Sequence, residues 1–121
     1  MSKRILVVED QEDNRRIVRD LLTRSGYEIV EAVNGEEGVT LAETQHPDLI
    51  LMDIQLPLID GYEAARRIKA NPALQHIPII AVTSYALSGD DVKAFQAGCD
   101  GYVAKPFNPR TLLATIRTYL A

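Results

Sequence analysis

Three runs of uninterrupted apolar residues constrain the fold of this chain more than any other feature. They are Ile5-Leu6-Val7-Val8, Leu49-Ile50-Leu51-Met52 and Ile79-Ile80-Ala81-Val82. Each has the length of a strand, and apolarity that does not alternate suits strands covered on both faces, as at the centre of a parallel sheet. Glu28-Ile29-Val30-Glu31-Ala32 is more mixed and Tyr102-Val103-Ala104 is short. Both suit edge strands, which are less fully buried.

Helical patterns lie between these runs. Ile17, Val18, Leu21 and Leu22 form an apolar stripe, and Gly26 follows as a stop. Val39 and Ala42 mark a second helix after Asn34-Gly35. Ala64, Ala65 and Ile68 mark a third, ended by Asn71-Pro72. Val92 and Phe95 mark a fourth, ended by Gly98, with so few large apolar residues that marginal packing is expected. Leu112, Leu113, Ile116 and Leu120 stripe the last helix, which starts with Asn108 as N-cap and Pro109 at its first position.

Five β-then-α units in 121 residues predict one α/β domain spanning 1–121. The expected architecture is a doubly wound, five-stranded parallel sheet of flavodoxin-like (βα)5 type, strand order 2-1-3-4-5, with strands 2 and 5 at the edges.

Composition narrows the function. The 46% hydrophobic and 25% charged fractions are those of a globular chain, and the net charge of −4 argues against a nucleic-acid partner. The apolar run after Met1-Ser2-Lys3-Arg4 is too short for a signal segment or a membrane span, so no membrane is expected and the cytoplasm is the expected compartment. Cys99 is the single cysteine; it cannot form an internal disulfide and reads as a small core filler.

In a doubly wound sheet, ligands bind beyond the carboxyl ends of the strands, near the point where strand order reverses. Glu9-Asp10 follow strand 1, Asp53 ends strand 3, Thr83-Ser84 end strand 4, and Lys105-Pro106 follow strand 5. Crowded carboxylates repel, so one of them should hold its proton more tightly unless a cation intervenes. An oxygen-only donor set favours Mg²⁺, and His46 and His76 lie away from this rim. Mg²⁺ keeps open positions for phosphate, which suits phosphoryl transfer with Asp53 as nucleophile. Mg²⁺, Lys105, the Thr83 hydroxyl and backbone N–H groups after Asp53 would then neutralise the transferring group.

These residues carry a resemblance. Val8-Glu9-Asp10, Met52-Asp53-Ile54-Gln55-Leu56-Pro57 with Asp60-Gly61, Ala81-Val82-Thr83 and Lys105-Pro106-Phe107 occur in order at the strand ends. The whole chain resembles the receiver domains of two-component response regulators, the CheY-like superfamily. Gln55-Leu56-Pro57 and Thr83-Ser84-Tyr85-Ala86 look most like stand-alone DivK-type receivers and the receivers of hybrid kinases. The resemblance implies that Asp53 accepts a phosphoryl group from a phosphohistidine on a histidine kinase or a histidine phosphotransfer protein. It implies Mg²⁺ on Asp10, Asp53 and the Gln55 backbone carbonyl, with Glu9 acting through water. Thr83 would swing toward the phosphoryl group and Lys105 would pair with it, across a cis peptide bond to Pro106. Tyr102 would be the switch aromatic, and Gln55 and Tyr85 would tune hydrolysis.

The expected output is a changed surface on helix 4, strand 5 and helix 5 that controls a downstream protein. The chain would catalyse only its own phosphorylation and dephosphorylation. Met1 and a full fifth helix suggest a whole chain, so the signal would pass by protein contact or by onward phosphotransfer. An aspartyl-phosphate phosphatase is the competing class, but Gln55 stands where its general acid would be. A nucleotide or flavin site would need a loop after strand 1 less acidic than Glu9-Asp10-Gln11-Glu12-Asp13. Arg15, Arg16 and Arg19 leave two readings open: solvated helix charge, or, with Asn14 and Ile17 near the rim, a docking site for the phosphodonor.

Overall fold

The apolar runs become strands because each can cover both faces of a sheet. The computed structural model describes residues 2–83, 90–105 and 108–120. Its elements are β1 (Arg4–Val8), α1 (Glu12–Arg24), β2 (Glu28–Ala32), α2 (Gly35–Gln45), β3 (Leu49–Asp53), α3 (Gly61–Ala70), β4 (Ile79–Thr83), α4 (Asp90–Gln96), β5 (Gly101–Ala104) and α5 (Pro109–Leu120). All pairings are parallel and the order is β2-β1-β3-β4-β5, as the sequence predicts. The expectations for Ser84, Tyr85, Ala86, Pro106 and Phe107, including the cis peptide, lie outside the described residues.

Alternate residues of each strand serve opposite faces. Leu6, Val8, Ile50, Met52, Ile79 and Ala81 pack against Ala42 of α2, Ala64, Ala65 and Ile68 of α3, Ala94 of α4 and Ala97 just beyond it. Ile5, Val7, Leu49, Leu51, Ile80, Val82 and Val103 pack against Val18 and Leu22 of α1 and Leu112 and Ile116 of α5. The helices after β1 and β3 therefore leave on opposite faces. A crevice opens between the ends of these adjacent strands, which is what positions the site.

Helix starts follow local chemistry. The Asn34 side chain caps α2 by accepting from the Glu37 N–H at 2.8 Å, and Asp60 caps α3 by accepting from the Glu63 N–H at 2.9 Å. Asn108 caps α5 by accepting from the Arg110 N–H at 2.8 Å. Gly26 and Gly98 take the left-handed conformation after α1 and α4, where a side chain would be strained.

Two stripe assignments are corrected. Ile17 is 60% exposed, because it lies at the margin of the α1 stripe, one residue off the buried Val18 and Leu22 row. Val92 and Phe95 are 52% and 51% exposed, so they do not anchor α4. The buried residues on this stretch are Ala94 of α4 and Ala97 just after it, on the side away from Val92 and Phe95. Among the described residues, no helix is long and apolar enough to cross a membrane.

Candidate functional site

The ends of β1 and β3 bring carboxylates to one corner. Ligand-capable oxygens of Glu9, Asp10 and Asp53 lie within 4.8 Å of one another. Glu9 and Asp53 are buried and Asp10 is half-buried. The Lys105 ammonium reaches in from the end of β5, donating to Asp53 Oδ2 at 3.0 Å and to Glu9 Oε1 at 2.8 Å. The Gln55 N–H donates to Asp53 Oδ1 at 3.0 Å and the Gln11 N–H to Glu9 Oε2 at 3.2 Å. Glu9 and Asp10 do not cap α1. Its N-cap is Gln11, and no side chain caps it there.

Lys105 and Thr83 are placed by the sheet. The Lys105 N–H donates to the Thr83 carbonyl at 2.7 Å, continuing the pairing of Thr83 with Ala104. Thr83 is buried at the end of β4, one residue beyond Val82, which pairs with Asp53. Tyr102 sits on β5 opposite Ala81 and packs, half-buried, against the α2–α4 side of the core. The loop from β3 to α3 returns at Gly61, whose N–H donates to the Ile54 carbonyl at 3.0 Å. Leu58 in that loop has φ +72° and stands exposed. A cavity of about 490 Å³ beside Asp53 and Lys105, lined also by Asn14, Ile17 and Leu112, leaves the buried carboxylate an approach from the α1–α5 side.

Two carboxylates share one ammonium, and the charge imbalance shows in Glu9. Its carboxyl is pushed above the usual range, by burial first and by Asp53 beside it, against the opposing pull of Lys105. The Lys105 ammonium is also raised: burial opposes its charge, but Glu9 and Asp53 together outweigh that. The corner is short of positive charge. Oxygen donors with a shortage of counter-charge fit a hard divalent cation such as Mg²⁺. Among the described residues, Glu9, Asp10 and Asp53 offer the oxygens that could hold it.

Asp10, Asp53, Thr83, Lys105 and Glu9 thus stand together as the strand-end rule predicts. The basic patch does not survive as one. Arg15 is buried, and its guanidinium donates to Glu31 Oε1 at 3.1 Å, to the Glu9 carbonyl at 2.9 Å and to Glu12. Arg19 pairs with Glu31 at 3.0 Å and the exposed Arg16 lies 3.6 Å from Asp13. Arg15 and Arg19 face inward because Glu31, near the end of the edge strand, offers them a half-buried carboxylate. Sequence reasoning missed that partner and also the direct Glu9–Lys105 ion pair. Glu31 stands near the end of strand 2 as the rim residues stand at the ends of strands 1, 3, 4 and 5, and that position is its signal in the sequence. The Glu9–Lys105 pair has no local signal, since 96 residues separate its members. Cys99 is buried, its thiol pushed up to about 12 by burial and the nearby Asp100, which keeps it protonated and unreactive.

Comparison with known proteins bears on the same residues. The family model described as "Response regulator receiver domain" matches residues 5–117. The "Polar-differentiation response regulator DivK" of Brucella ovis and that of Brucella anthropi are each 45% identical over 120 residues, covering 99% of this chain and 98% of theirs. The receiver domain of a sensor histidine kinase from Pseudomonas aeruginosa PAO1, solved with a magnesium ion coordinated in the active site cleft, superposes with a TM-score of 0.93 at 38% identity, covering 99% of this chain and 98% of that one. The chemotaxis protein CheY4 of Vibrio cholerae superposes with a TM-score of 0.93 at 28% identity, covering 98% of this chain and 99% of its own.

Proposed function

The chain belongs to the response regulator receiver domain family, and from that premise we propose that Asp53 is its phosphoryl acceptor in a two-component phosphorelay. The observation that carries this is the Asp53 carboxylate, buried at a strand end, held by Lys105 at 3.0 Å and flanked by Glu9 and Asp10. A carboxylate oxygen of Asp53 attacks the phosphorus of a phosphohistidine. The P–N bond breaks and the imidazole nitrogen keeps its electron pair. Mg²⁺, when bound, neutralises phosphoryl and carboxylate charge. Asp10, Asp53 and the Gln55 backbone carbonyl would hold it, with Glu9 acting through water. The magnesium coordinated in the Pseudomonas receiver and the oxygen-only donor set here support that choice.

Lys105 then passes from Asp53 to the phosphoryl oxygens, and the Thr83 hydroxyl donates to another. Movement of Thr83 draws Tyr102 inward, and Gln55 and Tyr85 set the lifetime of the aspartyl phosphate. The chain is not an enzyme with a separate substrate. The residue two places beyond Asp53 is Gln55, which offers no acid for phosphatase chemistry. Its partners are a histidine kinase or histidine phosphotransfer protein and a downstream protein, in the cytoplasm. The exposed Val92 and Phe95 on α4 support a contact surface there.

Incubation with Mg²⁺ and acetyl phosphate, read by intact mass, tests this. One base-labile phosphoryl group is expected, absent from Asp53→Asn and in EDTA. No adduct on the wild-type chain would overturn the proposal.

A further inference from the structure

Asp10 is the carboxylate of the corner with the least direct support. Its one side-chain hydrogen bond among those resolved is the weak 3.5 Å contact from its neighbour Gln11. Its aim depends on the backbone of the β1–α1 loop. That loop is pinned at Glu9 on both sides of the peptide chain: the Glu9 N–H donates to the Ala32 carbonyl of β2 at 3.0 Å, and the Glu9 carbonyl accepts from Arg15 Nη1 at 2.9 Å. The Glu9 carbonyl belongs to the peptide unit that leads into Asp10.

The same guanidinium is itself fixed. Its Nε donates to Glu31 Oε1 at 3.1 Å and its Nη2 to Glu12, and only 11% of the side chain is exposed. A planar fork with three acceptors from three segments has little freedom, unlike a surface arginine.

We propose that Arg15 is a positioning residue for the cation site, holding the Glu9–Asp10 peptide so that the Asp10 carboxylate faces Asp53, with Glu31 on the edge strand fixing Arg15 in turn. The inference rests on the Mg²⁺ reading above. It assigns to Arg15 a task quite different from meeting a phosphodonor, and it makes β2, which carries no ligand, part of the metal affinity.

Charge alone predicts the opposite sign. A guanidinium near a cation site repels the cation, so its loss would tighten Mg²⁺ binding. Loss of a positioning contact loosens it, commonly by about tenfold or more when an outer-shell partner is removed. Lysine separates the two accounts further, because it keeps the charge and loses the fork.

The test is calorimetric titration of Mg²⁺ into the unphosphorylated chain, with thermal melts confirming that each variant folds. Wild type should bind and Asp10→Asn should not; failure of either expectation overturns the metal reading and the inference with it. With those controls in place, Arg15→Met should bind about tenfold more weakly, Arg15→Lys should also weaken, and Arg16→Met should match wild type. Folded Arg15→Met or Arg15→Lys binding as tightly as wild type, or more tightly, would overturn the positioning role while leaving the Mg²⁺ site intact. Should Arg15→Met not fold, Arg15→Lys decides alone.

Discussion

Glu9 and Asp53 are two buried carboxylates that share one ammonium, and most of what the site does at the residue scale follows from that imbalance. The folded-state carboxyl of Glu9 is raised, chiefly by burial and then by Asp53. Between its unfolded and folded titration ranges the native chain therefore holds more protons than the unfolded one. Stability from this residue falls as pH rises through that window. Neutralising Asp53 removes the repulsion while Lys105 keeps Glu9. Asp53→Asn is therefore expected to melt higher than wild type at pH 7. The gain should shrink as pH falls, because protonation of Glu9 removes the charge that Asp53 repels. Melts across that pH range check it; a gain independent of pH would assign the effect to something other than Glu9.

At the scale of elements, the junction of β3 and α3 is set by space. A Cβ on Gly61 would lie 2.3 Å from the Asp53 carbonyl oxygen and 2.7 Å from Ile54 Cα, so nothing larger than glycine fits without moving backbone. This close approach closes the loop that carries Gln55, whose N–H holds Asp53 Oδ1. Gly61→Ala is expected to lose about 2 kcal/mol, in the range of overpacked positions, and to be phosphorylated more slowly by acetyl phosphate because the strand-end carboxylate shifts. Chemical denaturation and the rate of adduct formation measure the two effects. Helix α4 teaches the converse. Its two large apolar residues face out while Ala94, and Ala97 just after the helix, face in, so hydrophobic size alone pointed to the wrong side. Small residues let a seven-residue helix approach the sheet, and Val92 and Phe95 are left for another surface.

For the whole molecule, the site exists only in the folded chain. Asp53 and Lys105 are 52 residues apart and Glu9 and Lys105 are 96 apart, and they meet because all three leave the same edge of a parallel sheet. A cation bound by such residues is bound by the native state alone and raises its stability. Mg²⁺ at ten times its dissociation constant is expected to add about 1.4 kcal/mol, seen as a rise in Tm that Asp10→Asn abolishes. An equal rise in Asp10→Asn would mean that Mg²⁺ acts elsewhere on this acidic chain.

The sequence by itself determined the order of elements, the strand order and the residues at the rim. Those rest on local signals: continuous apolar runs for covered strands, a 3.6-residue stripe for helices, and the rule that whatever follows a strand faces the crevice. The tertiary structure alone decided which partner each charge took. Arg15 turned to Glu31 and the Glu9 carbonyl, Lys105 bridged Glu9 and Asp53, and α4 presented Ala94 to the core. Pairing of charges depends on distances between elements that no local pattern encodes. The burial of a short helix depends on how closely it can approach its sheet, and both are settled only when the layers pack.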